Sequence, residues 1–184
     1  VIPVYNEAPS LIPLVEGIFE HAGTTNFEIL LIDDGSTDDS PAEIAGLSAR
    51  YPQILATRFE RNTGKTLALK TGFDQAAGEI VITMDSDLQD DPAEIPALLA
   101  KLDEGHDLVC GWKERRYDPL VRVLASSIYN TVIRVLFGVS LRDVNCGIKA
   151  MRSVVAKSVA RRLERDYHRL IPVLAHQNGF SVAE

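Results

Sequence analysis

Short apolar runs alternate with helical patterns along the first 112 residues, and this alternation indicates the fold class. Each run is short, contains β-branched residues and is bounded by polar turn residues, as expected of a buried strand. The five predicted strands are Val1–Val4, Phe27–Ile32, Ile54–Phe59, Ile80–Met84 and Leu108–Cys110. Strands that alternate with helices predict an α/β protein whose sheet is parallel and whose crossovers are right-handed.

Helix starts lie between the predicted strands. The segment Ser40–Glu43 reads Ser-Pro-Ala-Glu, a capping box with proline at the first helical position, and Asp91–Glu94 repeats this arrangement as Asp-Pro-Ala-Glu. Ser10 is expected to cap the first helix. The sequence contains neither a repeat nor a linker, so residues 1–184 are expected to form one domain. Because the sequence starts inside a predicted strand and stops after an apolar stretch, we expect this domain to be truncated at both ends.

Three polar clusters directly follow predicted strands. They are Tyr5–Glu7 after the first strand, Asp33–Ser36 after the second and Asp85–Asp87 after the fourth. In an open parallel sheet, ligands bind beyond the carboxyl ends of the strands. We therefore expect these clusters, although distant in sequence, to meet at one edge of the sheet.

The segment Met84–Asp91 contains four aspartates and no basic residue. If the chain stays extended there, Asp85, Asp87 and Gln89 point to the same side. Three converging oxygen donors suit a hard cation such as Mg²⁺ or Mn²⁺. Acidic residues also favour a helix N-terminus, which accounts for Asp90, Asp91 and Glu94 but not for Asp85 and Asp87, which follow the strand.

Charge is distributed unevenly along the chain, whose net charge is -7. Residues 1–112 contain 6 basic and 20 acidic side chains, whereas residues 113–184 contain 13 basic and 6 acidic ones. The acidic part suits cations, and the basic part suits phosphates or an anionic membrane surface. The net negative charge argues against a nucleic-acid partner. The two cysteines, Cys110 and Cys146, lack zinc-site spacing and indicate a reducing, cytosolic setting.

Other site types fail on spacing. A calcium loop that starts at Asp85 needs glycine and glutamate where the chain has Asp90 and Pro96. A phosphate loop ending in Gly64–Thr66 needs its first glycine where the chain has Phe59. No dinucleotide-binding glycine motif follows a strand, and no serine or cysteine nucleophile motif accompanies the histidines.

Several motifs together resemble one known family. They are Ile2–Glu7, Ile32–Ser36, Asn62–Thr66, Met84–Pro92, Gly111–Lys113, Asn145–Gly147 and His168–Pro172. The chain resembles family 2 glycosyltransferases with the GT-A fold, and within them the polyprenyl-phosphate glycosyltransferases of the dolichyl-phosphate mannose synthase group. This resemblance covers essentially the whole chain. It implies a Rossmann-like, three-layer α/β sandwich with a mostly parallel central sheet.

The resemblance also implies roles for individual residues. Those expected to bind the nucleotide sugar are Pro3, Tyr5, Glu7, Asp34, Asp85, Ser86, Gln89 and Lys113, together with Ile32 through its backbone. Asp85, Asp87 and Gln89 are implied to hold the metal, so Asp87 is a catalytic candidate. Asp143 is a candidate general base, although a turn residue bonded to its own backbone is an equally good interpretation.

The basic part of the chain suggests where an anionic acceptor binds. Lys113, Arg115, Arg116 and Arg122 fall within ten residues and could hold a phosphate. A helix is predicted over residues 119–137, with a narrow polar stripe on an otherwise apolar surface. This helix suits the membrane interface or a buried position facing the cleft.

The resemblance implies that Arg122 and Ser126 contact an acceptor phosphate. It also places His168 and Arg169 near phosphate groups of the donor or acceptor, whereas a histidine that caps the helix after it is the structural alternative.

The function that these features predict is transfer of a sugar, with inversion, from a UDP- or GDP-sugar to a polyprenyl phosphate. Mg²⁺ or Mn²⁺ is the expected cofactor, and the cytoplasmic side of a membrane is the expected location. A family 2 enzyme that acts on a saccharide hydroxyl remains an alternative. A phosphatase or phosphotransferase that uses the Asp-x-Asp pair, and a non-catalytic sugar-nucleotide sensor, are further alternatives.

Overall fold

The computed structural model of the chain describes residues 1–23, 26–112, 137–138, 141, 146–164 and 167–184. The strands are β1 (Ile2–Val4), β2 (Ile29–Asp33), β3 (Ile54–Arg58), β4 (Ile80–Thr83), β5 (Leu108–Cys110), β6 (Lys149–Arg152) and β7 (Val182–Ala183). The helices are α1 (Ala8–His21), α2 (Ser40–Arg50), α3 (Lys65–Gln75), α4 (Ile95–Asp103), α5 (Ser153–Ala160) and α6 (Ile171–Gln177). Two 3-10 helices precede α4 and α6, at Pro92–Glu94 and Tyr167–Leu170.

The strands form two sheets that share a boundary at Val1. β1, β2 and β3 are parallel and adjacent in that order, and the second sheet has the order β4-β6-β5-β7. The Val1 amino group donates to the Ile82 carbonyl at 2.7 Å, and the Met84 amide donates to the Val1 carbonyl at 3.3 Å. These two bonds follow the parallel pattern. They place β4 beside β1, so the strands run β3-β2-β1-β4-β6-β5-β7.

All five predicted strands are present, and they point in one direction. β6 lies between β4 and β5 and is antiparallel to both, while β7 is parallel to β5. The prediction of a mostly parallel sheet is therefore confirmed, but the sequence analysis did not identify β6. The segment Lys149–Arg152 reads Lys-Ala-Met-Arg and contains no β-branched residue, so its strand conformation depends on the strands at its sides.

Helices cover both faces of the sheet, because successive strand residues point to opposite sides. Ile29 and Leu31 pack in one core with residues of α1, α2 and α4. Leu30 and Ile32 pack on the opposite face with Ala68 of α3, and a third cluster there includes residues of α3, α5 and α6. The result is the three-layer sandwich that the resemblance implied.

The helix starts differ from two of the three predictions. α2 begins without a side-chain cap, and Ser40 instead accepts a hydrogen bond from the Glu7 amide at 2.9 Å. Ser10 lies in the first turn of α1 and donates to Glu7 rather than capping the helix. The Asp91 cap is confirmed, since its side chain accepts from the Ala93 amide at 2.9 Å. The Ser40 hydroxyl makes a long-range contact instead of capping α2, and a local sequence pattern cannot reveal such a contact.

Candidate active site

A cleft of about 370 Å³ opens at the carboxyl ends of β1, β2 and β4. Its lining residues come from the end of β1, from the three polar clusters and from the loop that connects β3 to α3. They are Pro3, Val4, Tyr5, Glu7, Asp34, Asn62, Gly64, Lys65, Asp85, Ser86 and Asp87. The expectation that distant clusters meet at one sheet edge is therefore confirmed. Lys65 is the one basic side chain in this set, so the lining is mostly acidic and polar.

The loop after β1 is held by the loop after β2. Asn6 has a φ angle of 57°, and its Oδ1 atom accepts from the Thr37 amide at 2.8 Å. Its own amide donates to Ser36 Oγ at 3.0 Å. Asparagine tolerates this left-handed conformation better than most residues. These bonds fix the positions of Tyr5 and Glu7, the lining residues on either side of Asn6.

Asp38 lies in the loop after β2 and joins this loop to the start of α1, which follows the loop after β1. Its carboxylate accepts from the Ala8 amide at 3.2 Å and from the Ser40 amide at 3.0 Å. Desolvation acts to raise the pKa of Asp38, but the hydrogen bonds from Ser40 and Ala8 outweigh it and hold this pKa below its ordinary value. The carboxylate therefore stays charged at neutral pH and keeps the loops together.

Asp34 is buried at the back of the cleft and organises the β3–α3 loop. Its Oδ1 atom accepts from the Thr63 amide at 2.7 Å and from the Thr63 hydroxyl at 2.8 Å. Its Oδ2 atom accepts from the Gly64 amide at 2.8 Å. The neighbouring Gly35 has a φ angle of 72° and lies directly against the Arg61 backbone, a position that only glycine occupies without strain. Asp34 thus lines the cleft and also shapes it.

Asp85 is ion-paired within the cleft. The Lys65 Nζ atom lies 2.5 Å from Asp85 Oδ1, and both side chains are partly buried. Lys65 is the first residue of α3, so the pair connects α3 to the loop after β4. The ordering of this loop also involves Ser86, whose hydroxyl donates to the Pro3 carbonyl at 3.1 Å.

The acidic loop bends after β4, so the extended alternation considered in the sequence analysis is wrong here. β4 ends at Thr83, Leu88 has a φ angle of 60°, and Asp87 Oδ1 accepts from the Gln89 amide at 3.1 Å. Asp85 and Asp87 line the cleft, whereas Gln89 is exposed outside its lining. Across the described part of the chain, no three His, Cys, Asp or Glu side chains are grouped closely enough to hold a metal ion.

The two cleft aspartates nevertheless fit a small, hard cation. Mg²⁺ in particular is commonly held by one or two carboxylates, with water and substrate phosphates as its other ligands. Gly147 lies against this loop, and a Cβ atom there would be 2.7 Å from Asp85 Cγ and would also overlap Asp90. The Thr83 hydroxyl fixes Gly147 by donating to its carbonyl at 2.9 Å. Glycine thus leaves the space that the Asp85 carboxylate occupies.

Three other predicted site residues lie outside the lining of the cleft. Ile32 is fully buried in the middle of β2, and its side chain packs in the core. His168 Nδ1 is 2.8 Å from the hydroxyl of Thr66, the residue that follows Lys65. Arg169 is exposed on the 3-10 helix before α6. His168 is thus close to one end of the cleft through α3, whereas Ile32 has only its backbone available for the predicted contact, which stays a prediction.

The remaining predicted residues fall outside the described residues. They are Lys113, Arg115, Arg116, Arg122, Ser126 and Asp143. The helix predicted over residues 119–137 lies outside them as well, except at its last residue. These assignments stay predictions.

The sequence analysis did not assign site roles to Asn62, Gly64 and Lys65, which also line the cleft. The signal for them was available, because they follow the carboxyl end of β3, where the same sheet-edge rule applies. The segment was considered as a phosphate loop and as a motif of the family resemblance, but its position at the end of a predicted strand was not used.

The fold is that of glycosyltransferases of the GT-A class. A mannosyltransferase from Pyrobaculum calidifontis, solved with GDP-Man and Mn²⁺, superposes with a TM-score of 0.71 at 18% identity. The superposition covers 99% of this chain and 52% of the other. Glucosyl-3-phosphoglycerate synthase from Mycobacterium tuberculosis, solved with Mn²⁺, UDP-glucose and phosphoglyceric acid, gives a TM-score of 0.69 at 21% identity, over 99% and 66% of the chains.

The chain belongs to glycosyl transferase family 2, whose family model matches residues 1–160. It is 39% identical over 180 residues to the undecaprenyl-phosphate 4-deoxy-4-formamido-L-arabinose transferase of Yersinia enterocolitica, covering 96% of this chain and 54% of that protein. The enzyme of the same name from Pectobacterium atrosepticum is 41% identical over 180 residues, with the same coverage. The chain thus spans about half the length of the curated relatives it matches. Among the described helices, none has the length and apolarity needed to cross a bilayer.

Proposed function

We propose that the protein transfers a sugar from a UDP- or GDP-sugar to a polyprenyl phosphate. The observation that carries this proposal is the cleft at the carboxyl edge of the sheet, where Asp34, Asp85, Asp87 and Lys65 meet in a family 2 glycosyltransferase fold. The choice of acceptor is supported by the relatives, which are named as undecaprenyl-phosphate transferases. A lipid acceptor implies that the reaction takes place at a membrane surface, and a nucleotide-sugar donor suits its cytoplasmic face.

The donor nucleotide is proposed to lie along the loops after β1 and β2. Tyr5 is 45% exposed at the cleft, which leaves its ring free to pack against a base. Pro3, Glu7 and Asp34 line the same part of the cleft and complete this side of the proposed donor site. Ile32 is proposed to contact the nucleotide through its backbone, because its side chain is buried in the core.

Asp85 and Asp87 are the proposed holders of Mg²⁺ or Mn²⁺, with the Gln89 amide oxygen as a third candidate ligand. When bound, the cation neutralises negative charge on the donor diphosphate, which grows as the sugar–phosphate bond breaks. Lys65 adds a positive charge beside Asp85. Ser86, whose hydroxyl is fixed by the Pro3 carbonyl, is proposed to lie beside the diphosphate.

The proposed reaction forms a bond from an acceptor phosphate oxygen to the anomeric carbon of the sugar. The bond from that carbon to the diphosphate breaks, and its electron pair leaves with UDP or GDP. Attack from the face opposite the leaving group inverts the configuration. A lipid phosphate is already anionic at neutral pH and needs no general base, whereas a sugar hydroxyl would require one, for which Asp143 is the candidate.

The acceptor phosphate is proposed to bind to the basic part of the chain. Lys113 is expected to contact a phosphate of the donor or the acceptor. Side chains with complementary charge or hydrogen-bonding capacity are available for the acceptor in Arg115, Arg116, Arg122, Ser126, His168 and Arg169. His168 contacts α3 one residue after Lys65, which supports a position near the cleft.

Incubation of the full-length protein with radiolabelled nucleotide sugars tests this proposal. The donor panel includes UDP- and GDP-sugars and a UDP-linked 4-formamido pentose, and short polyprenyl phosphate and a soluble oligosaccharide serve as alternative acceptors. The expected result is label in the organic extract only when polyprenyl phosphate, a donor and Mg²⁺ or Mn²⁺ are all present. Label on the oligosaccharide alone, or undiminished transfer in EDTA, would overturn the proposal.

Asp87→Asn tests the catalytic assignment within the same assay. We expect turnover to fall by about 100-fold or more, because a carboxylate that stabilises the developing charge is lost. The melting temperature should change by less than about 2 °C, because Asp87 is exposed and, among the described residues, bonds to the nearby Gln89 amide. Asp103→Asn, at the exposed end of α4, is the matched control and should keep full activity. Normal turnover by Asp87→Asn would remove this residue from the site.

A further inference from the structure

The ion pair between Lys65 and Asp85 indicates how the negative charge of Asp85 is balanced when no ligand is bound. The Lys65 ammonium lies 2.5 Å from Asp85 Oδ1, in the cleft where the donor diphosphate is proposed to bind. Lys65 is also the first residue of α3, where the positive end of the helix dipole disfavours a cation. The lysine is therefore not placed there to stabilise the helix. Its charge is matched by the Asp85 carboxylate.

One oxygen of Asp85 is engaged by a cation in this structure. Oδ1 contacts the Lys65 ammonium, whereas Oδ2 faces Gly147, which has no Cβ atom. While the ammonium holds Oδ1, the carboxylate cannot offer both of its oxygens to another cation. A divalent cation gains Asp85 as a full ligand only when the Lys65 ammonium moves away, and that movement requires another anion to receive the lysine.

We propose that Lys65 is the resident counter-ion of Asp85 in the free protein and moves to the donor diphosphate when the nucleotide binds. This inference rests on the proposed function, because the diphosphate is the anion that receives the lysine. The exchange couples the two ligands: the protein alone binds a divalent cation weakly, and the nucleotide frees Asp85 for it. Coupling between ligands is reciprocal, so the cation tightens the nucleotide by the same factor.

The test measures Mn²⁺ binding to the full-length protein by electron paramagnetic resonance, which reports free aqueous Mn²⁺. Titrations are made without nucleotide, with UDP and with GDP, and each is corrected for Mn²⁺ bound by the nucleotide in solution. In Lys65→Met the free protein should bind Mn²⁺ about tenfold more tightly than the wild type, because no ammonium competes for Asp85. The increase in Mn²⁺ affinity that UDP or GDP causes should be smaller in Lys65→Met than in the wild type, by about the same factor.

Lys70→Met is the matched control. Lys70 lies on the same helix, pairs with Asp74 at 2.6 Å and has the same side-chain exposure, 36%, as Lys65. It lies outside the cleft lining, so its loss should leave Mn²⁺ binding unchanged. Lys65→Arg, which keeps the positive charge, should retain weak binding of Mn²⁺ to the free protein. A thermal melt of each variant checks that folding is intact.

The outcomes separate this inference from the proposed function. If the wild type with UDP or GDP binds Mn²⁺ and Lys65→Met binds it no more tightly in the free state, the counter-ion role of Lys65 is overturned and the proposed function stands. If the wild type binds no Mn²⁺ even with either nucleotide, both are overturned. Equal gains in Lys65→Met and Lys70→Met would show a general charge effect and would also overturn the specific exchange.

Discussion

Replacing Asp34 with asparagine tests how far the cleft depends on one buried carboxylate. Asp34 is 3% exposed and accepts three hydrogen bonds, two from Thr63 and one from the Gly64 amide. Asparagine has nearly the same shape but only one acceptor oxygen. If that oxygen keeps the bonds from Thr63, the new amide group faces the Gly64 N–H, donor against donor.

The expected loss follows from these three bonds. A hydrogen bond to a charged group contributes about 1.5–3 kcal/mol, and the substitution removes one and weakens two to neutral strength. Relief from burying the Asp34 charge offsets part of this loss. We therefore expect the free energy of unfolding to fall by about 2–3 kcal/mol. In a domain of this size that change lowers the melting temperature by about 5–10 °C.

Thermal unfolding followed by circular dichroism measures the change, and calorimetric titration with UDP and GDP measures its effect on the cleft. Nucleotide affinity should fall along with stability, because the loop that Asp34 holds carries the lining residues Gly64 and Lys65. Thr63→Val removes only the hydroxyl bond and should cost about 1 kcal/mol. A melting temperature for Asp34→Asn within 1 °C of the wild type would refute the idea that this carboxylate organises the loop.

Two further substitutions test the packing around the cleft. Gly147→Ala should lower the free energy of unfolding by about 1–3 kcal/mol through overpacking. It should also reduce turnover at least tenfold, because the new Cβ atom would displace Asp85. Gly46→Ala, on an open helix surface, is the control and should have neither effect. Lys157→Met should lower stability by about 2 kcal/mol in urea unfolding, because its ammonium caps three carbonyls at the carboxyl end of α3. Lys101→Met, which breaks an exposed pair, should cost less than about 1 kcal/mol. Equal losses for the two lysines would contradict the capping role.

The fold could be predicted largely from local pattern. Five strands have apolar, bounded sequences, and their order with the helices determines which end of the sheet carries polar loops. β6 was not predicted, because Lys149–Arg152 has a charged residue at each end and is a strand only through its bonds to β4 and β5. Its central residues, Ala150 and Met151, are fully buried, yet two apolar residues are too short a signal to separate a strand from a turn or helix.

The site was predictable where function follows directly from chain position. Tyr5, Asp34, Asp85 and Asp87 lie where each strand ends, so the sheet-edge rule alone brings them to one cleft. The expected alternation of Asp85, Asp87 and Gln89 was wrong because it assumes that the strand conformation continues. β4 ends at Thr83, a left-handed turn follows at Leu88, and Gln89 lies outside the lining.

What the sequence could not provide is the pairing of charges across the cleft. Four aspartates in eight residues without a basic neighbour suggest a site that only a metal can neutralise. In the fold, however, Lys65 reaches Asp85 from 20 residues away. The charge count of the segment was therefore correct, but it left out the cation that the fold itself supplies to Asp85. Acidic clusters in a sequence indicate where cations bind, and the fold determines which cation is already present.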